Sequence, residues 1–162
     1  MSDTHGYVDP KIYTYFKDVD EIWHAGDVGS IAVIEELEAF KPVRGVYGNI
    51  DDHIIRATWP KVNAFECEGM KVLMTHIAGK PYRYNKDAHD AIQKHQPQIF
   101  VCGHSHILLV QFDKNINSLW LNPGACGYKG FHKVKTLLRF SIDKGQVKDM
   151  EVIEIGPKTK ES

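Results

Sequence analysis

The chain has 162 residues, 43% of them hydrophobic and 25% charged, with a formal charge of −1. That size predicts a single domain over residues 1–162 with enough chain to bury a sizeable core. The near-neutral balance gives no reason to expect general nucleic-acid binding, no run of about 18 apolar residues marks a membrane helix, and no apolar signal region opens the chain. Cys67, Cys102 and Cys126 are odd in number and far apart. That fits free thiols in a reducing compartment, so a cytoplasmic location is expected.

In chain order, "DPKIYTYFKDVD" places Ile12, Tyr15 and Phe16 at helical spacing, with Asp9 as cap and Pro10 at the first helical position. "EIWHAGD" reads as a short buried strand ending in a turn. "SIAVIEELEAF" follows as a helix, capped by Ser30 and striped by Ile31, Ile34, Leu37 and Phe40. "VRGVYGN" is again a short strand ending in a turn, and this βαβ rhythm predicts parallel strands. The second half is mostly β. "VNAFECEGMKVLMTH" predicts two strands turning at Gly69, "NKDAHDAIQKHQ" a helix stopped by Pro97, and "QIFVCGHSH" an apolar strand entering a polar turn. Four strand-like stretches close the chain: "LLVQFD", "SLWLNPG", "TLLRFSID" and "VKDMEVIEI". Two packed sheets with helices outside satisfy that order.

Five places share one design, a strand or its expected position giving way to metal-ligand residue types. They are Asp3-Thr4-His5, His24-Ala25-Gly26-Asp27, Gly48-Asn49-Ile50-Asp51, Thr75-His76 and Gly103-His104-Ser105-His106, with Asn122-Pro123-Gly124 as a related turn. Each motif alone is common. In open α/β sheets, however, ligands bind beyond the carboxyl ends of strands, where the sheet positions the loops. Asp3, Asp27, Asn49, His5, His76, His104 and His106 form a mixed O/N donor set. It suits Mn²⁺, Fe²⁺, Co²⁺, Ni²⁺ or Zn²⁺ better than Ca²⁺ or Mg²⁺. Seven ligands exceed the needs of one ion and suit two. Two ions about 3.5–4 Å apart clamp both the attacking and leaving oxygens of a phosphoryl ester.

The ordered series D-x-H, G-D-x-G, G-N, T-H, G-H-x-H, N-P-G, running from Ser2 to about Gly124, resembles the calcineurin-like metallophosphoesterases. The length is most similar to their small YfcE-like phosphodiesterase branch. The resemblance implies a four-layer αββα sandwich of two mixed sheets flanked by helices. It also implies two divalent ions, with Mn²⁺ first among the candidates. Asp3, His5 and His106 would hold one ion, Asn49, His76 and His104 the other, and Asp27 would bridge. A hydroxide between the ions would attack phosphorus, and Asn49 would help neutralise the phosphoryl oxygens. The implied partner is a phosphoester small molecule.

One departure bears on activity. Many members of the family read G-N-H-[DE], with the histidine proposed to protonate the leaving group. Here Ile50 stands in that place and cannot transfer a proton. Activity is therefore expected to be selective, better on aryl phosphodiesters than on alkyl phosphomonoesters. Asp51 is expected to orient His76 or another ligand, and His53 reads as a surface histidine, with the role of the missing acid as its alternative. Ile77, where a glycine often follows the T-H histidine, is expected to narrow the entrance. Lys80 and Arg83 are expected to contact phosphate. The rival reading is a non-catalytic interaction scaffold on the same fold, like the retromer subunit that resembles this family. The family also places an apolar strand ahead of Asp-x-His, whereas this sequence starts at Met1. Either several apolar residues naturally precede it, or the sheet lacks its first strand and the strands near Trp23 and Phe100 expose their edges. An exposed edge would favour a homodimer.

Overall fold

The structure, a computed structural model, describes residues 1–159. Its helices are α1 (Lys11–Tyr15), α2 (Ile31–Phe40), α3 (His53–Thr58) and α4 (Lys86–His95). The strands are β1 (Ile22–His24), β2 (Val43–Gly45), β3 (Val62–Cys67), β4 (Met70–Thr75), β5 (Gly79–Lys80) and β6 (Arg83–Tyr84), then β7 (Ile99–Val101), β8 (Leu108–Asp113), β9 (Ser118–Pro123), β10 (Val134–Asp143) and β11 (Gln146–Pro157). No helix among the described residues is long and apolar enough to cross a membrane.

One sheet has five strands in the order β3-β4-β7-β9-β8. Its β4, β7 and β9 run parallel, and β3 and β8 flank them antiparallel. The second is assembled from pieces. The parallel pair β1-β2 arises from the expected βαβ unit through α2, whose cap is the Ser30 side chain accepting from the Ala32 N–H. The hairpin β10-β11 turns at Lys144 and Gly145. Between these pairs lie residues 1–3 and 125–127. The Met1 amine donates to Trp23 O, Ala25 N–H to Met1 O and Asp3 N–H to Gly26 O. On the other side Cys126 N–H donates to Ser2 O and Thr136 N–H to Ala125 O. The chain start thus pairs only along the end of this sheet that carries Asp3 and Asp27.

Three apolar clusters define four layers, as the family resemblance implies. Ile12 of α1 and Phe16 just after it, Ile34 and Leu37 of α2, and Ile55 of α3 pack on Ile22, Leu137 and Ile153. Ala25, Val46 and Leu138 meet Val72, Met74, Val101 and Leu121 between the sheets. Ala88, Ala91 and Ile92 of α4 cover Leu73, Phe100 and Trp120 on the outer face of the five-stranded sheet.

The expected open edge is corrected in one respect. Phe100 is fully buried and its strand β7 is paired on both sides, by β4 and β9. The unfilled space instead lies between β1 and β10. It is a cleft of about 730 Å³ lined by Ile22, Trp23, Val101, Leu121, Leu138 and Phe140. The register of Asp-x-His places any preceding strand in the same sheet as Trp23, so the second flank is β10 rather than β7.

Candidate metal centre

Two groups of side chains converge where the strands end. Asp3, His5 and His106 bring ligand atoms within 4.8 Å of one another, and so do Asp27, His76 and His104. Asp3 follows the short extended start, Asp27 follows β1, His76 follows β4, and His104 and His106 follow β7. Five of these six residues adopt positive φ: Asp3 (57°), His5 (49°), Asp27 (53°), His104 (69°) and His106 (60°). A left-handed backbone costs a non-glycine residue about 1 kcal/mol. Such residues cluster where geometry is held against local preference. Here the bend aims each side chain at a common space.

Asp27 stands between the groups. Its Oδ2 lies 3.7 Å from His5 Nε2 and its Oδ1 3.2 Å from His76 Nε2. Its Oδ1 also accepts from the Ile50 N–H at 3.1 Å. A Cβ at Gly48 would sit 2.0 Å from Asp27 Oδ1, so only glycine lets this turn close over the carboxylate. Asp3 is pinned through one oxygen: its Oδ2 accepts from Ser2 Oγ at 2.5 Å and from the His104 N–H at 3.3 Å. Its other oxygen, Oδ1, lies 3.1 Å from His106 Nε2 and 4.0 Å from His76 Nε2.

The donor set fits divalent cations on a direct test. Five buried side-chain polar atoms lack a hydrogen-bond partner among the described residues, and three of them are Asp3 Oδ1, His5 Nε2 and His76 Nε2. Leaving a buried polar group unmade costs about 1–3 kcal/mol, so three at one point mark a place built for a ligand. His76 is prepared for this. Its Nδ1 donates to Ala25 O at 2.7 Å, leaving Nε2 as the free donor atom. Electrostatics agree. Burial opposes protonation of His76, but the contact with Asp27 and the charge of Asp3 outweigh it and raise its pKa. Burial acts to raise the Asp27 pKa, yet the His76 contact prevails and lowers it. In His5, burial dominates and lowers the pKa, keeping the ring neutral and able to ligate.

The remaining sequence candidates are placed as follows. Asn49 is exposed in the turn over Asp27, and its carbonyl accepts from Arg56. Asp51 does not reach His76; it accepts from the backbone N–H groups of Val28 (3.1 Å), Gly29 (2.8 Å) and Gly48 (2.7 Å). It therefore staples the turns on either side of Asp27, and the partner that orients His76 is Ala25 O. His53 is exposed at the start of α3, and Ile50 is 47% exposed. Lys80 and Arg83 face a cavity of about 530 Å³ shared with Ser105, Ile107, Leu109 and Trp120. Ser105 lies between His104 and His106 in the sequence.

Three supporting residues, Thr4, His24 and His132, were not among the ligands expected from the sequence. Thr4 accepts from His24 Nε2 at 3.0 Å and donates to Val28 O at 3.0 Å, while Gly26 N–H donates to His24 Nδ1 at 3.1 Å. His24 thus ties the Asp3 and Asp27 turns together. His132 lies 3.2 Å from His106, ring nitrogen to ring nitrogen. No strand runs directly into it, so the strand-to-turn pattern passes it by.

Residues 1–145 match the sequence profile of the calcineurin-like phosphoesterase superfamily domain. The chain belongs to that superfamily. A relative described as a probable metallophosphoesterase, from Methanothermobacter thermautotrophicus, is 29% identical over 130 residues, covering 77% of this chain and 74% of the relative. Among solved structures, a predicted phosphoesterase of Streptococcus pneumoniae TIGR4 superposes with TM-score 0.72 at 24% identity, covering 95% of this chain and 86% of its own. Vps29 of Chaetomium thermophilum gives TM-score 0.72 at 12% identity, covering 96% and 94%. Entamoeba histolytica Vps29 complexed with Zn²⁺ gives 0.70 at 15%, covering 94% and 96%. At these identities the structural likenesses establish the fold. The superfamily and the described relative suggest phosphoesterase activity.

Proposed function

We propose that the protein is a phosphodiesterase using two divalent cations, with Mn²⁺ the first choice and Ni²⁺, Fe²⁺, Co²⁺ or Zn²⁺ as alternatives. The observation that carries this reading is the trio of unpartnered buried atoms, Asp3 Oδ1, His5 Nε2 and His76 Nε2, at the junction of two ligand triads. Asp3, His5 and His106 would hold one cation. His76, His104 and Asn49 would hold the other, and Asp27 would serve both. Cations there would supply a water nucleophile at neutral pH and neutralise charge on the phosphoryl oxygens.

The chain's own groups do the rest. Asp51 fixes the turns that present Asp27 and Asn49. Lys80 and Arg83 offer positive charge to the phosphate from one side. The apolar wall of Ile107, Leu109 and Trp120 in the same cavity suits the second substituent of a diester. Ile50 supplies no proton, which favours substrates whose leaving group departs as a stable anion.

The test is hydrolysis of bis(p-nitrophenyl) phosphate with Mn²⁺. Wild type should turn over, and Asp27→Ala and His76→Ala should lose at least about a hundredfold, typical of a lost charge-stabilising group. Equal rates in all three would overturn the reading. The second reading is an interaction scaffold. It is favoured by Ile50 and by the exposed Ile107, Val110 and Phe112 at and beside edge strand β8. That reading predicts no turnover by wild type with any of the five metals.

A further inference from the structure

The loop between β9 and β10 passes over the metal centre, and its contacts there are specific. His132 Nε2 lies 2.8 Å from Gly127 O. A carbonyl only accepts, so the proton of the neutral His132 ring sits on Nε2 and its Nδ1 is an acceptor. That Nδ1 faces His106 Nδ1 at 3.2 Å. Two lone pairs would repel at this distance, so His106 must carry its proton on Nδ1 and donate it. His106 Nε2 is then bare. It lies 3.1 Å from Asp3 Oδ1 but off the line of a hydrogen bond, so the lone-pair conflict of the two Nδ1 atoms is not repeated there, and Oδ1 receives no hydrogen bond from any described group.

We propose that His132 is a positioning residue: through the relay Gly127 O, His132, His106 it holds His106 in the one tautomer whose Nε2 can ligate a cation beside Asp3. The effect on metal affinity rests on the two-cation reading above, whereas the tautomer itself does not. The loop is shaped for this contact. Gly130 has φ +124°, and a Cβ there would lie 2.0 Å from His106 Nδ1 and 3.2 Å from His132 Nδ1. Only a residue without a side chain lets the loop close over both rings. The closed loop is tied from outside by Lys158, whose Nζ donates to Gly130 O at 2.7 Å and whose N–H donates to Lys133 O at 3.0 Å. The two rings meet edge to face, with centroids 5.1 Å apart and planes at 75°. Metal-bound histidines generally donate their second ring N–H to a fixed acceptor. Here that acceptor is another histidine, itself fixed by a main-chain carbonyl.

The experiment uses the full chain labelled with ¹⁵N-histidine. Long-range ¹H–¹⁵N correlation reads the His106 tautomer in metal-free protein at about pH 8, above the ordinary histidine pKa. Wild type should carry the proton on Nδ1. His132→Ala should shift His106 toward the Nε2–H form and weaken binding of one Mn²⁺ by about 10–100-fold. His132→Asn places an amide oxygen where Nδ1 stood, so it should keep both the tautomer and the affinity close to wild type. A wild-type His106 protonated on Nε2 would overturn the proposal. So would unchanged Mn²⁺ affinity in His132→Ala, or a His132→Asn that behaves like the alanine variant. If wild type binds no metal, the two-cation reading fails, and the tautomer spectrum still decides the relay.

Discussion

At the scale of single residues, most candidate ligands were legible because they sit at a visible strand-to-turn pattern. Asp27, His76, His104 and His106 sit where a strand stops, and the structure gathers them with Asp3 and His5. The supports were less legible because their partners are backbone groups or loops, which leave no periodic trace. Asp51 was expected against a ligand side chain and instead holds three backbone N–H groups. Asp51→Ala leaves the buried Val28 and Gly48 donors unmade, so urea unfolding should show a loss of at least about 3 kcal/mol, at 1.5–3 kcal/mol per bond to a charged group. Loss below 1 kcal/mol would contradict the stapling role. Gly48→Ala forces a methyl onto Asp27 Oδ1. It should lower Mn²⁺ affinity at least about tenfold, as disturbed ligand supports generally do, while circular dichroism stays unchanged. Unaltered affinity would mean that Asp27 has room to move. His24 answers to pH. Burial pushes its pKa from 6.5 to about 3. Between those values the unfolded chain holds more protons than the folded one, so this term favours folding above pH 6.5 and is lost toward pH 3. The loss is about 1.4 kcal/mol per pH unit. The His24 ring should therefore stay neutral by NMR down to about pH 4. Titration near its ordinary value would contradict the buried link between Thr4 and Gly26.

At the scale of elements, the periodic segments were readable, as were the short α1, β1, β2 and β7 beside their caps and turns, whereas α3, β5 and β6 were not. The stripe of α2 and the alternation of the late strands appear at their expected places. α3 has six residues, too few for a helical period, although Asp52 caps it by accepting from the Ile54 and Ile55 N–H groups. β5 and β6 have two residues each, too few for an alternation to show. The first strand position poses the sharpest question. The alternation that sends Ile22 N–H to Pro42 O and Ala25 N–H to Met1 O turns Trp23 N–H toward the cleft between β1 and β10. A six-residue extension of the type KKIGLL fused ahead of Met1 offers backbone to that edge and apolar side chains to Val101, Leu121 and Leu138. Each buried aliphatic side chain contributes about 1.5–3 kcal/mol. At about 2–4 °C per kcal/mol for a chain of this size, the thermal midpoint should rise by at least about 5 °C. An unchanged midpoint would show that the cleft does not accept a strand.

At the scale of the whole molecule, two sheets bring strand ends from both halves of the sequence to one place. Residues 3 and 5 meet residue 106, and residue 27 meets residues 76 and 104. No local pattern contains that convergence. The order of motifs pointed to it only through resemblance, and the packing of three apolar clusters produces it. Cations bound at the proposed centre would pair the buried carboxylates of Asp3 and Asp27. Binding to the folded state then stabilises it by mass action, by about 2.7 kcal/mol at one hundred times the dissociation constant. The most direct test of the account is the number of Mn²⁺ ions retained per chain, measured by elemental analysis after loading metal-free protein and removing excess. Two ions are predicted for wild type and fewer for Asp27→Ala, which removes the group shared by both triads. One ion or none in wild type, or two ions in Asp27→Ala, would contradict it.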